Sequence, residues 1–147
     1  MKITQATVND VDAIAVLFDK YRQFYEQEPN LAGCTAYIKA RLENNESTIF
    51  IARLDSGETV GFTQLYDSFC SVNMTPIVYL YDLFVDEAQR RHGVGRALMA
   101  RAEQYARDNN ASRLSLETGI DNSKAQALYE SIGYVRNTAF YGYDFRI

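Results

Sequence analysis

The sequence predicts an α/β (α+β) fold in which antiparallel strands lead into a strand–helix–strand unit. Three observations carry this. Ile77 to Val85 is apolar or aromatic except for Asp82, a β-rich run suited to a strand buried on both faces. After it, Arg90, Arg91, Gly93, Gly95 and Arg96 form a turn, and Leu98, Ala102, Tyr105 and Ala106 then recur at helical spacing. Ser112 to Thr118 alternates Leu114 and Leu116 with polar residues, so the helix joins two strands and places them parallel.

The remaining elements follow in order. Lys2 to Ala6 is a short strand candidate, and Thr7 or Asn9 can cap a helix carrying Val11, Ile14, Leu17, Phe18, Tyr21 and Tyr25 on one face. Glu26 to Ala32, with Pro29 and Asn30, ends that helix, and a second runs from about Thr35 to Glu43. Ile49–Leu54 and Thr59–Tyr66 are strands joined by Asp55-Ser56-Gly57-Glu58, a hairpin signal. Asp67 to Pro76 reads as loop. A last helix carries Ala125, Leu128, Tyr129 and Ile132 and stops at Gly133, and Tyr134 to Ile147 reads as a strand with Tyr141, Tyr143 and Phe145 on one face.

A chain of 147 residues without linker or repeat reads as one domain, residues 1–147, able to bury a real core. The net charge of −4 argues against a nucleic-acid partner, which asks for a basic patch. No apolar run approaches a membrane span, and Met1 to Gln5 lacks the apolar core of a signal peptide. Cys34 and Cys70 are isolated and His92 is the only histidine, so no metal-ligand spacing exists. The expectation is a cytoplasmic protein with free thiols and no metal.

Strand, Gly-rich turn and helix form the layout in which backbone N–H groups and the helix dipole hold a phosphate. The dinucleotide fingerprint fits poorly, since Leu98 stands where its third glycine belongs, and no Gly-Lys-Ser/Thr is present. Asp82 is the second feature. Two-residue periodicity puts it on one face with Val78, Leu80 and Phe84, where a carboxylate costs desolvation unless a partner or a task holds it. Burial raises its pKa towards the range useful to a base. A structural aspartate bonded to backbone or to an arginine is the alternative, and the sequence leaves both open.

Two segments together resemble the GNAT superfamily of N-acetyltransferases. Val85 to Gly95 is similar to its acyl-CoA pyrophosphate loop, with the core Arg/Gln-x-x-Gly-x-Gly/Ala at Arg90, Gly93 and Gly95. Asn122 to Tyr134 resembles the second signature, Asn-x-x-Ala-x-x-Leu-Tyr-x-x-x-Gly-Phe/Tyr. The resemblance implies a mixed sheet of about six to seven strands with four flanking helices, and an acyl-CoA cleft between the two central parallel strands. It implies acetyl-CoA as cofactor, bound through Arg90, Arg91, His92, Gly93, Val94, Gly95 and Arg96. It further implies that backbone at Leu83, Phe84 and Val85 holds the thioester carbonyl, and that Asn122 reaches the pantetheine arm. Asn122 as a helix cap and Tyr129 as a core tyrosine stay open beside the family roles, in which Tyr129 protonates the departing thiolate. The family commonly has Pro where Glu87 stands and Gly where Arg91 stands, which puts the local loop shape in question.

Tyr79 to Val85 is also similar to a strand of the diamine and polyamine acetyltransferase branch, often Tyr-Leu-Glu-Asp-Phe-Phe-Val, but Tyr81 replaces the glutamate. The implied activity is direct acetyl transfer to a primary amine of a small cationic molecule. A peptide acetyltransferase and a non-catalytic acyl-CoA-binding sensor are the alternatives. Acceptor-side candidates are Tyr21, Tyr25, Glu26, Glu28, Asp67 and Tyr81, an aromatic and acidic set suited to an amine. The Tyr141, Tyr143 and Phe145 stripe suits either core or a homodimer edge.

Overall fold

A computed structural model describes residues 1–147 and divides them into two compact units, Met1–Leu116 and Glu117–Ile147. The first holds β1 (Lys2–Gln5), α1 (Val11–Phe24), α2 (Leu31–Glu43), β2 (Thr48–Arg53), β3 (Thr59–Cys70), β4 (Thr75–Val85), α3 (Val94–Asp108) and β5 (Leu114–Ser115). Short 3-10 turns at Val8–Asp10 and Glu87–Gln89 precede α1 and α3. The second unit holds α4 (Ser123–Ser131).

The sheet has five strands in the order β1-β2-β3-β4-β5. The first four pair antiparallel and β5 lies parallel to β4, as the strand–helix–strand reading requires. Fewer strands form than the six to seven expected, because Tyr134–Ile147 adopts no regular structure. Alternating aromatic residues supply a strand with a face, but a strand also needs an edge to accept its backbone hydrogen bonds.

Local chemistry explains the helix boundaries. Thr7 and Asp10 form a reciprocal capping box at the entrance to α1. The expected start of the second helix at Thr35 is four residues late: the Asn30 side chain accepts from the Gly33 N–H and starts α2 at Leu31. The expected loop from Asp67 to Pro76 is instead mostly hairpin, with Cys70 opposite Thr75 and only residues 71–74 in the turn.

The sheet is covered on both faces. Ile14, Ala15, Leu17 and Phe18 of α1 and Cys34 and Ile38 of α2 pack with Ile49, Ile51, Phe62 and Phe84. The opposite face belongs to α3, whose Tyr105 meets the Phe50 ring edge-on at 5.9 Å. A Cβ at Gly61 would lie 3.3 Å from Val94 Cγ1 and from Leu98 Cδ1, so a glycine there lets the first turns of α3 settle against β3. That contact fixes where the helix begins relative to β4.

Two phenylalanines on β3 should separate core from surface. Phe62 is wholly buried, whereas Phe69 is 79% exposed near the hairpin tip. In urea denaturation, Phe62→Ala should lose about 3–5 kcal/mol, and Phe69→Ala should stay within about 0.5 kcal/mol of the parent.

Candidate active site

The site begins with a break in strand register. On β3 the neighbours Gln64 and Leu65 lie opposite Asp82 and Leu80, so Tyr81 is an extra residue on β4 and forms a β-bulge. Consecutive residues of β3 point to opposite faces. Asp82 and Phe84 therefore share the face of Gln64 and Phe62, towards α1, while Leu80 and Val78 share the α3 face with Leu65. The simple alternation that grouped Asp82 and Phe84 with Val78 and Leu80 is thus overturned, because it took the strand to be unbroken.

Asp82 is 5% exposed. Its Oδ2 accepts a 2.7 Å hydrogen bond from Gln64 Nε2, and the Tyr21 hydroxyl donates to the same carboxylate. No lysine or arginine pairs with it. Burial pushes its pKa above the usual carboxylate range, against the opposing pull of the Gln64 and Tyr21 donors. The structural alternative of an arginine partner is therefore not what the fold builds.

Tyrosines cluster on this face. Tyr25 meets Tyr21 edge-on at 5.1 Å, and Tyr81, 69% exposed on the bulge, meets Tyr66 in the same way at 5.4 Å. The Tyr66 and Tyr37 hydroxyls lie 2.7 Å apart, linking α2 to β3, and the Arg41 guanidinium sits 4.6 Å above the Tyr37 ring. Burial first, and the Asp82 charge second, push the Tyr21 phenol upward, so it remains a protonated donor. Burial and the Tyr37 hydroxyl do the same at Tyr66.

The end of β4 leads to the anion-binding layout. Asp86 N–H bonds the Val60 carbonyl, so alternation turns the backbone groups of Leu83 and Val85 away from β3. On that side β5 pairs only at Val78–Leu114 and Tyr79–Ser115, and the ladder does not reach Leu83. Gly93 begins α3 in the left-handed region (φ 80°) with no side-chain cap, and the first intrahelical bond is Ala97 to Gly93. The Val94 and Gly95 N–H groups thus precede the helix's own hydrogen bonding, at the positive end of its dipole. Lys20 of α1 ties down the loop's start through a 2.6 Å ion pair with Asp86.

The comparisons with known proteins bear on this geometry. Residues 13–134 match the Acetyltransferase (GNAT) family. The chain belongs to the GNAT family. It is 49% identical over 143 residues to YhfO, an uncharacterized N-acetyltransferase of Bacillus subtilis, covering 97% of this chain and 95% of that protein. It superposes on the crystal structure of a probable acetyltransferase with a TM-score of 0.95 and 38% identity, covering 100% and 98% of the two chains. An aminoglycoside N(6')-acetyltransferase type 1 of Stenotrophomonas maltophilia is 28% identical over 96 residues, 63% of each protein.

This GNAT chain is an N-acetyltransferase, and acetyl-CoA is the family's donor. The short β4–β5 ladder, the turned-out Leu83 and Val85 backbone and the uncapped α3 terminus are features that would suit such a ligand. Arg90 is exposed, with Nε donating to the Val85 carbonyl and its guanidinium 5.7 Å from the Phe84 ring centroid. Arg91 and His92 are exposed in the loop. Asn122 caps α4 by accepting from the Ala125 N–H, and Tyr129 lies on that helix with its ring 6.1 Å from Tyr134. Among acceptor-side candidates, Tyr25 and Tyr81 join the tyrosine group. Glu28 is exposed between α1 and α2, where its carbonyl accepts from Arg22. Asp67 lies on the other face, accepting from Tyr105 Oη at 2.9 Å, because it belongs to β3 and not to a loop.

Gln64, Tyr37 and Tyr66 are the members that sequence reasoning missed. Tyr66 ended a predicted strand and Tyr37 sat on a weakly patterned helix. Gln64 in a run of buried residues was a readable signal, since a buried amide asks for partners.

Arg91 occupies the left-handed region (φ 66°) at the position where the family commonly has glycine. Relief of that strain predicts that Arg91→Gly gains about 1 kcal/mol in urea denaturation, whereas Arg91→Ala keeps the strain and stays within about 0.5 kcal/mol of the parent.

Proposed function

We propose that the protein moves an acetyl group from acetyl-CoA to a primary amine of a small cationic molecule, in one direct step, with Asp82 taking the amine's proton. The observation that carries this is a buried carboxylate with no cationic partner, enclosed by tyrosines. Such a site offers an ammonium its missing counter-charge and aromatic faces to lie against.

Acetyl-CoA supplies the activated acetyl group. On this reading the loop from Arg90 to Arg96 holds its pyrophosphate, through the Val94 and Gly95 N–H groups first. The Leu83 N–H, turned away from β3, orients the carbonyl and stabilises the charge that develops on its oxygen. Asn122 holds the cofactor's arm in addition to capping α4. An alkyl ammonium costs about 4.6 kcal/mol to neutralise at pH 7, and a carboxylate of raised pKa, within reach of the bound amine, lowers that cost. Tyr129 Oη keeps a proton for the departing sulfur. The family match spans both structural units, which supports reading 1–147 as one acetyltransferase domain.

Thiol release from acetyl-CoA with diamines, polyamines, an aminoglycoside, amino acids and peptides tests the acceptor class. Turnover with free small amines and none with peptides is expected, and the reverse would sink the reading. Since Asp82 must be ionised to act, kcat/KM should rise as pH rises through its raised pKa. Asp82→Asn should flatten that rise and lower the rate by about 10²–10⁴. Tyr129→Phe should lower kcat with little change in acetyl-CoA affinity.

A further inference from the structure

We propose that Gln64 and Ser47 are positioning residues for the transfer, holding Asp82 in the orientation and charge state in which it receives the acceptor's proton. This rests on the reading of Asp82 as the proton acceptor.

The three side chains form a relay from the surface inward. Ser47 Oγ, at the entrance to β2, donates to Gln64 Oε1 at 2.8 Å, and Gln64 Nε2 donates to Asp82 Oδ2 at 2.7 Å. Gln64 is wholly inaccessible to solvent, so every polar atom of its amide must be satisfied within the protein. An ionised carboxylate only accepts, so the amide must turn its NH₂ group towards Asp82. Its oxygen then faces Ser47, whose hydroxyl supplies the donor it needs. Were the amide reversed, its oxygen would face the carboxylate and repel it. The ionised carboxylate thus sets the amide's orientation, and Ser47 completes it by donating to the buried amide oxygen.

The rest of the surroundings explain why a neutral relay suits this task. From β3, Gln64 and Tyr66 face the carboxylate, and from α1, Tyr21, with Tyr25 packed on the Tyr21 ring; Tyr81 precedes Asp82 on β4 and packs on Tyr66. From α2, Tyr37 acts through Tyr66 and carries Arg41 over its ring. The nearby cations on α1 and the loop are spoken for, Lys20 by Asp86 and Arg90 by the Val85 carbonyl. A direct arginine pair would hold Asp82 ionised but strip it of affinity for a proton. Neutral donors stabilise the anion and leave it able to accept one. The bulge is what makes this arrangement reachable, since it places Asp82 opposite Gln64 and not, as the Leu65–Leu80 register would continue, opposite Thr63 on the α3 face.

The test measures the titration of the Asp82 carboxyl carbon by NMR in the CoA-free protein, alongside the pH dependence of kcat/KM. Gln64→Leu should move both upward by about one pH unit, because an ionised group loses a donor. Ser47→Ala should move them in the same direction by less, and Ser47→Thr, which keeps the hydroxyl, should restore the parent values. Thr63→Val is the control: it removes only a donor to the Asp82 backbone carbonyl and should lower thermal stability without moving either titration. Unmoved titrations in Ser47→Ala and in folded Gln64→Leu overturn the proposal, as does an equal shift in Thr63→Val. If Gln64→Leu does not fold, the Ser47 pair decides. A kcat/KM profile flattened by Asp82→Asn but unmoved by the Ser47 variants overturns the positioning role alone. An Asp82→Asn profile matching the parent overturns the proton-acceptor reading beneath it.

Discussion

Between Gln64 and Leu65 on β3 the pairing with β4 slips by one residue, and Tyr81 is the residue left over. Because side chains alternate across a sheet, one inserted residue reverses the facing of everything beyond it relative to what precedes it. Leu80 and Val78 pack under α3, while Asp82 and Phe84 turn to α1. Without the slip, Asp82 would point into the apolar layer beneath α3 and Phe84 would leave the cluster of Phe18, Tyr21 and Phe62. The bulge therefore sets both halves of the site: it brings the carboxylate among the tyrosines, and it lifts Tyr81 into solvent at their rim. It also leaves the backbone of Leu83 and Val85 facing the side of β5, beyond the end of the β4–β5 ladder.

The loop proposed to hold the cofactor's phosphates depends on a different kind of constraint. The donors it would offer are backbone groups, so position matters more than side-chain identity. Gly61 lets α3 sit close to β3, and Lys20 anchors Asp86 where β4 ends. Between these fixed points the loop must reverse direction in a few residues, and both Arg91 and Gly93 adopt left-handed backbone to do so. Arg91 takes this conformation without glycine's freedom, between anchors that hold the loop on either side. The strain is held locally.

The elements were legible in the sequence wherever periodicity was sustained, as in the α1 face from Val11 to Phe18 and in α3 from Leu98 to Ala106. Motif spacing also located the turn at Arg90–Gly95 and the cap at Asn122. Asp82 stood out because a charged residue interrupts an apolar run. Its facing did not, because a bulge depends on pairing with another strand and leaves no mark in the strand's own alternation. Gln64 was passed over for a related reason: its meaning lies in Ser47 and Asp82, each 17 or 18 residues away in sequence. Asp67 was misplaced because nothing local shows that the hairpin continues to Cys70. The C-terminal stripe erred in the opposite direction, having the alternation of a strand without forming one.

With Asp82 as the proposed proton acceptor, the composition of the site would narrow the acceptor on physical grounds. A polyamine presents several ammonium groups, and a second carboxylate beside Asp82 would meet the second of them. Tyr81 stands in that position and offers a ring and a phenol, with no formal charge. Burial of one carboxylate among neutral donors suits one ammonium at the reacting end. The remainder of the molecule would then lie against Tyr25, Tyr66 and Tyr81, where cation–π attraction of about 0.5–2 kcal/mol per contact favours a positive or weakly hydrated body without demanding a fixed spacing between charges. On the proposed reading, such a site would discriminate through the depth at which the first amine is held, close to Asp82 and to the backbone of Leu83. The rest of the acceptor is left to vary.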